Sequence, residues 1–274
     1  MNEAPSSAPS AGFPGADRAG AKAYARRWFD SWAGSYDRSL LNFFLFRPCS
    51  VAMLQEIAAW RAERAEADEV GSGHPTSRSR VMRGPTEEVG SAHPTKTSRS
   101  KKENRRRPVR LLDVGCGTAS FAKLVIGTGW PVEVIGMDFS PAMCTVAARK
   151  LRSDEGLAST SVLAGDSEHL PLADGSVDLI TCANSFHHYP RQGAVVREMR
   201  RVLRPGGRLI LLDGFRDNAI GWFVFEVAIA RIEKDVHHAT WQEVNSFFVE
   251  AGLRNIRRRK FNFLFPVLVT TGDA

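Results

Sequence analysis

The sequence predicts a doubly wound α/β fold: an open, mostly parallel sheet with helices on both faces and a ligand site at the carboxyl ends of the strands. Three observations carry that expectation. From residue 108 onward, short continuous apolar runs alternate with helix-forming stretches, as parallel strands buried on both faces require. Three of those runs end at or beside an acidic residue, and a fourth ends in polar and imidazole groups. Setting aside two stretches poor in apolar side chains leaves roughly 220 of the 274 residues, the size of one α/β domain.

The chain divides into four segments. Residues 1–20 are almost entirely Ala, Pro, Ser and Gly and read as a disordered tail. Residues 21–70 read as a helical region, in which Tyr24, Trp28, Trp32 and Tyr36 recur every four positions and share one helical face. Gly34 offers a break, the apolar run Leu40–Phe46 stops at Pro48, and a helix resumes over Val51–Glu66. Residues 71–107 hold only four apolar side chains and a duplication, Val70-Gly-Ser-Gly-His-Pro-Thr returning as Val89-Gly-Ser-Ala-His-Pro-Thr. Such a segment cannot bury enough apolar area to offset its ordering entropy, so a disordered basic insert is expected. The fourth segment, 108–274, is the α/β core.

Charge and composition exclude several classes. The insert carries ten basic against three acidic residues, while the rest of the chain holds 27 of each. The formal +7 therefore belongs to the insert, and the folded body is not expected to bind nucleic acid. Contact with an anionic or membrane surface is open only to the insert. The longest apolar run, Ala219–Ala230, is too short for a span and contains Glu226, and the N-terminus lacks a basic-then-apolar leader. Cys49, Cys116, Cys144 and Cys182 form no C-x-x-C pair and read as reduced thiols of a cytoplasmic protein; no metal site or disulfide framework is expected from them.

Within the core the expected strands are Val109–Val114, Val132–Met137, Thr160–Ala164, Val177–Cys182 and Arg208–Asp213. The expected helices are Ser120–Thr128, Ala142–Ser153 and Arg191–Leu203. The tail predicts a helix over Thr240–Ala251, a Gly252 cap, and two strands near Leu253–Phe261 and Phe263–Thr270, whose hairpin would add an antiparallel edge to the sheet.

The first strand and its turn read Leu-Leu-Asp113-Val-Gly115-Cys116-Gly117-Thr118-Ala-Ser120. Glycines at 115 and 117 permit a sharp turn and a close ligand approach, and the next helix begins with free N–H groups. A dinucleotide and S-adenosylmethionine compete for this motif. The dinucleotide fingerprint wants a third glycine where Ser120 stands, and Asp113 suits the ammonium of an amino acid better than a pyrophosphate. Asp138, at the tip of the second strand and followed by Phe139, can accept both hydroxyls of a ribose. Asp166, followed by Ser167, can accept from an exocyclic amine. After the fourth strand stand Asn184, His187 and His188.

Taken in order, these residues resemble the class I S-adenosylmethionine-dependent methyltransferases, and most of all the group that includes the ubiquinone and menaquinone C-methyltransferases. The likeness is carried by Leu-Leu-Asp113-Val-Gly115-Cys-Gly117-Thr, Gly136-Met-Asp138-Phe-Ser-Pro-Ala-Met143, Gly165-Asp166-Ser-Glu-His-Leu-Pro171, Asp178-Leu-Ile through His187-His188, and Leu203-Arg-Pro205-Gly206-Gly207. Phe29-Asp30-x-Trp-Ala33-x-x-Tyr36-Asp37 resembles that family's leading helix and makes residues 21–70 a cap on the catalytic domain. The resemblance implies a seven-stranded Rossmann-like sheet, methyl transfer, and S-adenosylmethionine as cofactor. It implies cofactor contacts from Asp113, Gly115, Gly117, Asp138 and Asp166, with Tyr36, Cys116, Thr118, Phe139, Ser167 and Asn184 as further candidates. The family commonly has glycine where Ala119 stands, so the extra methyl is expected either to tighten the cofactor's methionine end or to be absorbed by the backbone.

Methyl transfer from a sulfonium needs alignment, exclusion of water and, for weakly acidic acceptors, a base. His187 and His188 are the candidate bases. The aromatic-rich runs Leu40–Phe46 and Ile220–Ile229 suggest an apolar small-molecule acceptor, quinone-like or lipid. The competing expectation is a nucleic-acid-associated protein, or an RNA methyltransferase with the basic insert as its arm. Against it, the insert has no interleaved aromatics for base stacking, and Asn184-Ser-Phe-His stands where an amino-methyltransferase would carry Asn/Asp-Pro-Pro-Tyr.

Overall fold

In the computed structural model the apolar runs form strands and the stretches between them form helices. Residues 18–38, 46–71, 107–152, 160–214, 237–262 and 266–274 are described. They fall into two compact units, residues 1–54 with 109–274, and residues 55–108. The first holds β1 (Val109–Val114), β2 (Val132–Asp138), β3 (Thr160–Ala164), β4 (Val177–Ala183), β5 (Leu203–Gly214), β6 (Arg254–Asn262) and β7 (Pro266–Asp273). Its helices are α1 (Arg18–Trp32), the start of α2 (Arg47–Gly71), α3 (Ser120–Ile126), α4 (Pro141–Arg152), α5 (Gln192–Val202) and α6 (Trp241–Glu250). In the second unit Arg64 stands 5.3 Å over the Trp60 ring, a cation–π contact.

The seven strands run in the order β3-β2-β1-β4-β5-β7-β6. The β1–β2, β2–β3, β1–β4 and β4–β5 pairings are parallel, and β7 is antiparallel to both β5 and β6. The expected C-terminal hairpin therefore forms, with the antiparallel strand β7 one place inside the edge strand β6. Chain order reverses between β1 and β4, which is where such sheets open a crevice for ligand. Leu111, Leu112, Leu179, Ile180, Leu209 and Ile210 are buried to 0% exposure, as strands covered on both faces must be.

Helix ends follow local chemistry. Ser140 Oγ accepts from Met143 N at the start of α4, with Pro141 at its first position. A reciprocal capping box between Thr240 and Glu243 begins α6. The helix expected to resume at Val51 begins earlier, at Arg47, with Pro48 as its second residue, where a missing N–H costs nothing. Helix α4 packs on β2 and β3, α5 on β5 and α6, and α1 on α4. Among the described residues, no helix is long and apolar enough to cross a membrane. All four cysteines are free and buried. The tail 1–17, the insert 72–106, most of Leu40–Phe46 and all of Ile220–Ile229 lie outside the described residues.

Candidate active site

The ends of β1 to β4 open into one cleft that α1 covers, enclosing about 850 Å³ with its open mouth included. The turn after β1 is stitched to the second strand, since Gly115 N and Cys116 N both donate to Met137 O. Gly115 has φ +73°, and a Cβ there would lie 2.3 Å from Ser185 Oγ and 2.9 Å from Tyr189 OH. Only glycine fits that turn. Gly117, at φ +53°, would carry a Cβ with nothing within 4 Å, so its backbone is open to the cleft it lines.

Asp138 closes β2. Its carboxylate accepts from Gly117 N at 2.8 Å and from Ser140 N at 2.9 Å. Burial raises its pKa; backbone hydrogen bonds from Ser140, Gly117 and Phe139 offset part of that rise, and Asp30 adds to it. No lysine or arginine pairs with it among the described residues. Asp166 accepts from Lys22 Nζ at 2.7 Å and from Glu168 N at 3.0 Å. Burial works to raise its pKa, but these two partners outweigh burial and hold it low. Asn184 adopts φ +52°, a left-handed conformation that asparagine tolerates, and its N–H donates to Leu212 O.

Two carboxylates fasten α1 and the turn after it to the sheet. Asp37 accepts from Thr118 Oγ1 at 2.6 Å and Ser120 Oγ at 2.9 Å, and pairs with Lys150 Nζ at 2.6 Å. Asp30 accepts from Ser140 Oγ and Ala142 N at the head of α4. Lys22 bridges Asp166 and Glu168, and Glu168 also pairs with Arg191. The aromatic face continues into the site: Trp28, Trp32 and Tyr36 rings succeed one another at 5.0 and 4.8 Å, and Phe29 meets His188 edge-on at 4.9 Å.

Beyond β4 the two adjacent histidines have different surroundings. His188 lines the cleft, and burial followed by His187 and His238 pushes it well below the ordinary imidazole range. His187 does not line the cleft. Its Nδ1 lies 2.7 Å from Asp213 Oδ1, its backbone N–H donates to Asp213 Oδ2 at 3.0 Å, and its ring stacks on His238 at 4.5 Å. Burial works to raise the Asp213 pKa, but the two imidazoles and Gly214 N hold it low.

Of the residues singled out from sequence, Tyr36, Gly115, Gly117, Asp138, Phe139, Asp166, Ser167, Asn184 and His188 line the cleft. Asp113, Cys116, Thr118 and His187 do not. Asp113 is 3% exposed and accepts from Thr181 Oγ1 at 2.8 Å, because strand register sets it opposite Thr181 and turns it into the sheet. Cys116 is buried, its thiol donating to Gly117 O, and Thr118 is drawn toward Asp37. Ala119 takes φ +60°, which explains a preference for glycine. Its methyl is fully buried and does not line the cleft, so the backbone absorbs it at about 1 kcal/mol. Sequence reasoning missed Lys22, Lys150, Ser185, Tyr189, Asp213 and His238. The roles of Asp30 and Asp37 were also missed, although their spacing of seven, two helical turns, hinted at a shared face.

The cleft fits S-adenosylmethionine: Asp138 has lone pairs that no cation satisfies among the described residues, Asp166 offers an acceptor, and the Gly117 backbone is open. Residues 112–211 match the family described as a methyltransferase domain. A demethylmenaquinone methyltransferase of Bacillus velezensis is 29% identical over 179 residues, 58% of this chain and 76% of the relative. That of Deinococcus radiodurans is 40% identical over 116 residues, 42% of this chain and 47% of the relative. The solved YcgJ protein of Bacillus subtilis, 22% identical, shares the fold with a TM-score of 0.55 over 61% of this chain and 92% of its own. The protein is a class I S-adenosylmethionine-dependent methyltransferase. Within that class it stands close to the quinone methyltransferases.

Proposed function

We propose that the protein methylates an apolar, quinone-like small molecule in the cytoplasm. The observation that carries this reading is the similarity to demethylmenaquinone methyltransferases over more than half of the chain. The cleft supports it: Phe29, Tyr36, Met143 and Pro190 give it apolar and aromatic walls, as a greasy acceptor needs. Four buried, free cysteines suit a reducing compartment.

When bound, S-adenosylmethionine supplies an electrophilic methyl group on a sulfonium. The chain's part is to hold and to shield. Asp138 would hold the ribose hydroxyls and Asp166 the adenine amine, while α1 would exclude water. His188, the imidazole that lines the cleft, would take up the proton that the acceptor surrenders on methylation.

The test is turnover of labelled S-adenosylmethionine with a demethylated naphthoquinol, against a small polar acceptor. Methylation of the naphthoquinol supports the reading, and activity confined to the polar acceptor refutes it. For the base, His188→Ala is expected to retain cofactor affinity and to lose 10²–10⁴-fold in turnover; unchanged turnover removes the role.

A further inference from the structure

We propose that His187, Asp213 and His238 form a binding site for a divalent transition-metal ion of the zinc or iron(II) class. The three come from separate segments, the short helical turn after β4, the end of β5, and the stretch leading into α6. One donor atom from each lies within 4.8 Å of the other two. His238 is 3% and Asp213 6% exposed, so this is an interior cluster.

The Asp213 carboxylate accepts from His187 N, Gly214 N and the His187 ring, and no lysine or arginine pairs with it among the described residues. A buried carboxylate is costly unless a positive charge meets it, and here imidazoles are the neighbours in place. A divalent ion supplies that charge and uses all three groups as ligands.

Ligand chemistry narrows the ion. Two imidazoles and one carboxylate suit zinc or iron(II), whereas magnesium and calcium prefer all-oxygen shells. Around zinc, bonds of about 2.0–2.2 Å set neighbouring donors roughly 3.4 Å apart. The 2.7 Å His187–Asp213 contact is a hydrogen bond, and side-chain movements on the order of 1 Å convert it to shared coordination. The proton in that bond then moves to the far ring nitrogen or to solvent. The bonds from His187 N and Gly214 N to Asp213 would persist as orienting support. Three protein ligands leave a fourth position for water or a ligand oxygen. The site lies beside the cleft, since the His187 ring is 4.1 Å from that of His188. This proposal rests on the cluster's geometry and not on the identity of the methyl acceptor.

The test uses the full chain, freed of metal by a chelator and titrated with Co²⁺ under visible spectroscopy, then with Zn²⁺ in competition. Expected is one Co²⁺ per chain with tetrahedral d–d bands, displaced by Zn²⁺. His238→Ala and Asp213→Asn should each weaken uptake at least about tenfold. His238→Cys should keep the ion and add a sulfur-to-cobalt charge-transfer band. S-adenosylmethionine affinity, measured in parallel, reports whether each variant is folded and separates this proposal from the methyltransfer reading. No uptake by the wild-type chain overturns the site. So does uptake lost in a His74→Ala/His93→Ala double variant, which would place the ion on the basic segment. A His238→Cys protein that binds cobalt without the charge-transfer band overturns it as well.

Discussion

Replacing Asp113 with asparagine removes one ionisation and keeps the shape. The carboxyl group is buried in β1, accepts from Thr181 Oγ1, and asparagine can accept the same bond. Burial first, then the charge of Asp138, push its pKa from 3.8 up to about 7, with the Thr181 bond opposing. Because the folded-state value lies above the unfolded one, the native state holds more protons between about pH 4 and pH 7. The stability contributed by the protonated form is therefore complete below about pH 4 and is lost as pH rises through about 7. A rise from 3.8 to about 7 is worth about 4 kcal/mol, at ~1.4 kcal/mol per tenfold change in acidity. Asparagine carries no such dependence. The measurement is urea unfolding of wild type and Asp113→Asn, followed by tryptophan fluorescence from about pH 4 to pH 8. Taking the difference between the proteins cancels Asp37, Asp166 and Glu168, whose lowered values act in the opposite sense. Expected is a variant that gains several kcal/mol on wild type toward pH 8. A difference that stays flat across the range would show that Asp113 ionises normally, and the buried environment beside Asp138 assigned to it would be wrong.

Gly115→Ala should lower stability by about 2 kcal/mol or more and weaken S-adenosylmethionine binding at least tenfold, because its Cβ would press on Ser185 Oγ in a left-handed turn; near-wild-type calorimetry would contradict the tight turn. Asp37→Ala removes three contacts to Thr118, Ser120 and Lys150, and should speed amide exchange across α1 while leaving β1 and β4 protected. Uniform exchange behaviour would show that Asp37 does not hold the helix. Replacing residues 72–106 by a short Gly-Ser linker should leave turnover of a soluble acceptor unchanged, and a loss would make the basic segment part of the reaction.

The sheet was legible because its strands are apolar runs bounded by turn residues: Val109–Val114 and Thr160–Ala164 have the limits that those runs indicate. Asp138 and Asp166 were legible for the same reason, since each follows an apolar run closely and lines the crevice. Side-chain direction was not. Asp113 stands two residues before the glycine turn, yet its register with Thr181 directs it into the sheet. Pro48 looks like a stop in one dimension and is a helix start in three. The His187–Asp213–His238 cluster joins distant segments by tertiary packing, so no local spacing announces it. The carboxylates at 30 and 37 lay within reach of helical periodicity, but their partners Ser140, Thr118 and Lys150 are supplied by the fold.

If the cleft at the ends of β1 to β4 binds S-adenosylmethionine through Asp138, calorimetric titration separates wild type from Asp138→Ala, with NADH as the competing ligand. Expected is saturable, one-to-one binding of S-adenosylmethionine by the wild-type chain, at least tenfold weaker in the variant, and no binding of NADH. Equal affinity in both proteins, or a preference for NADH, would contradict it.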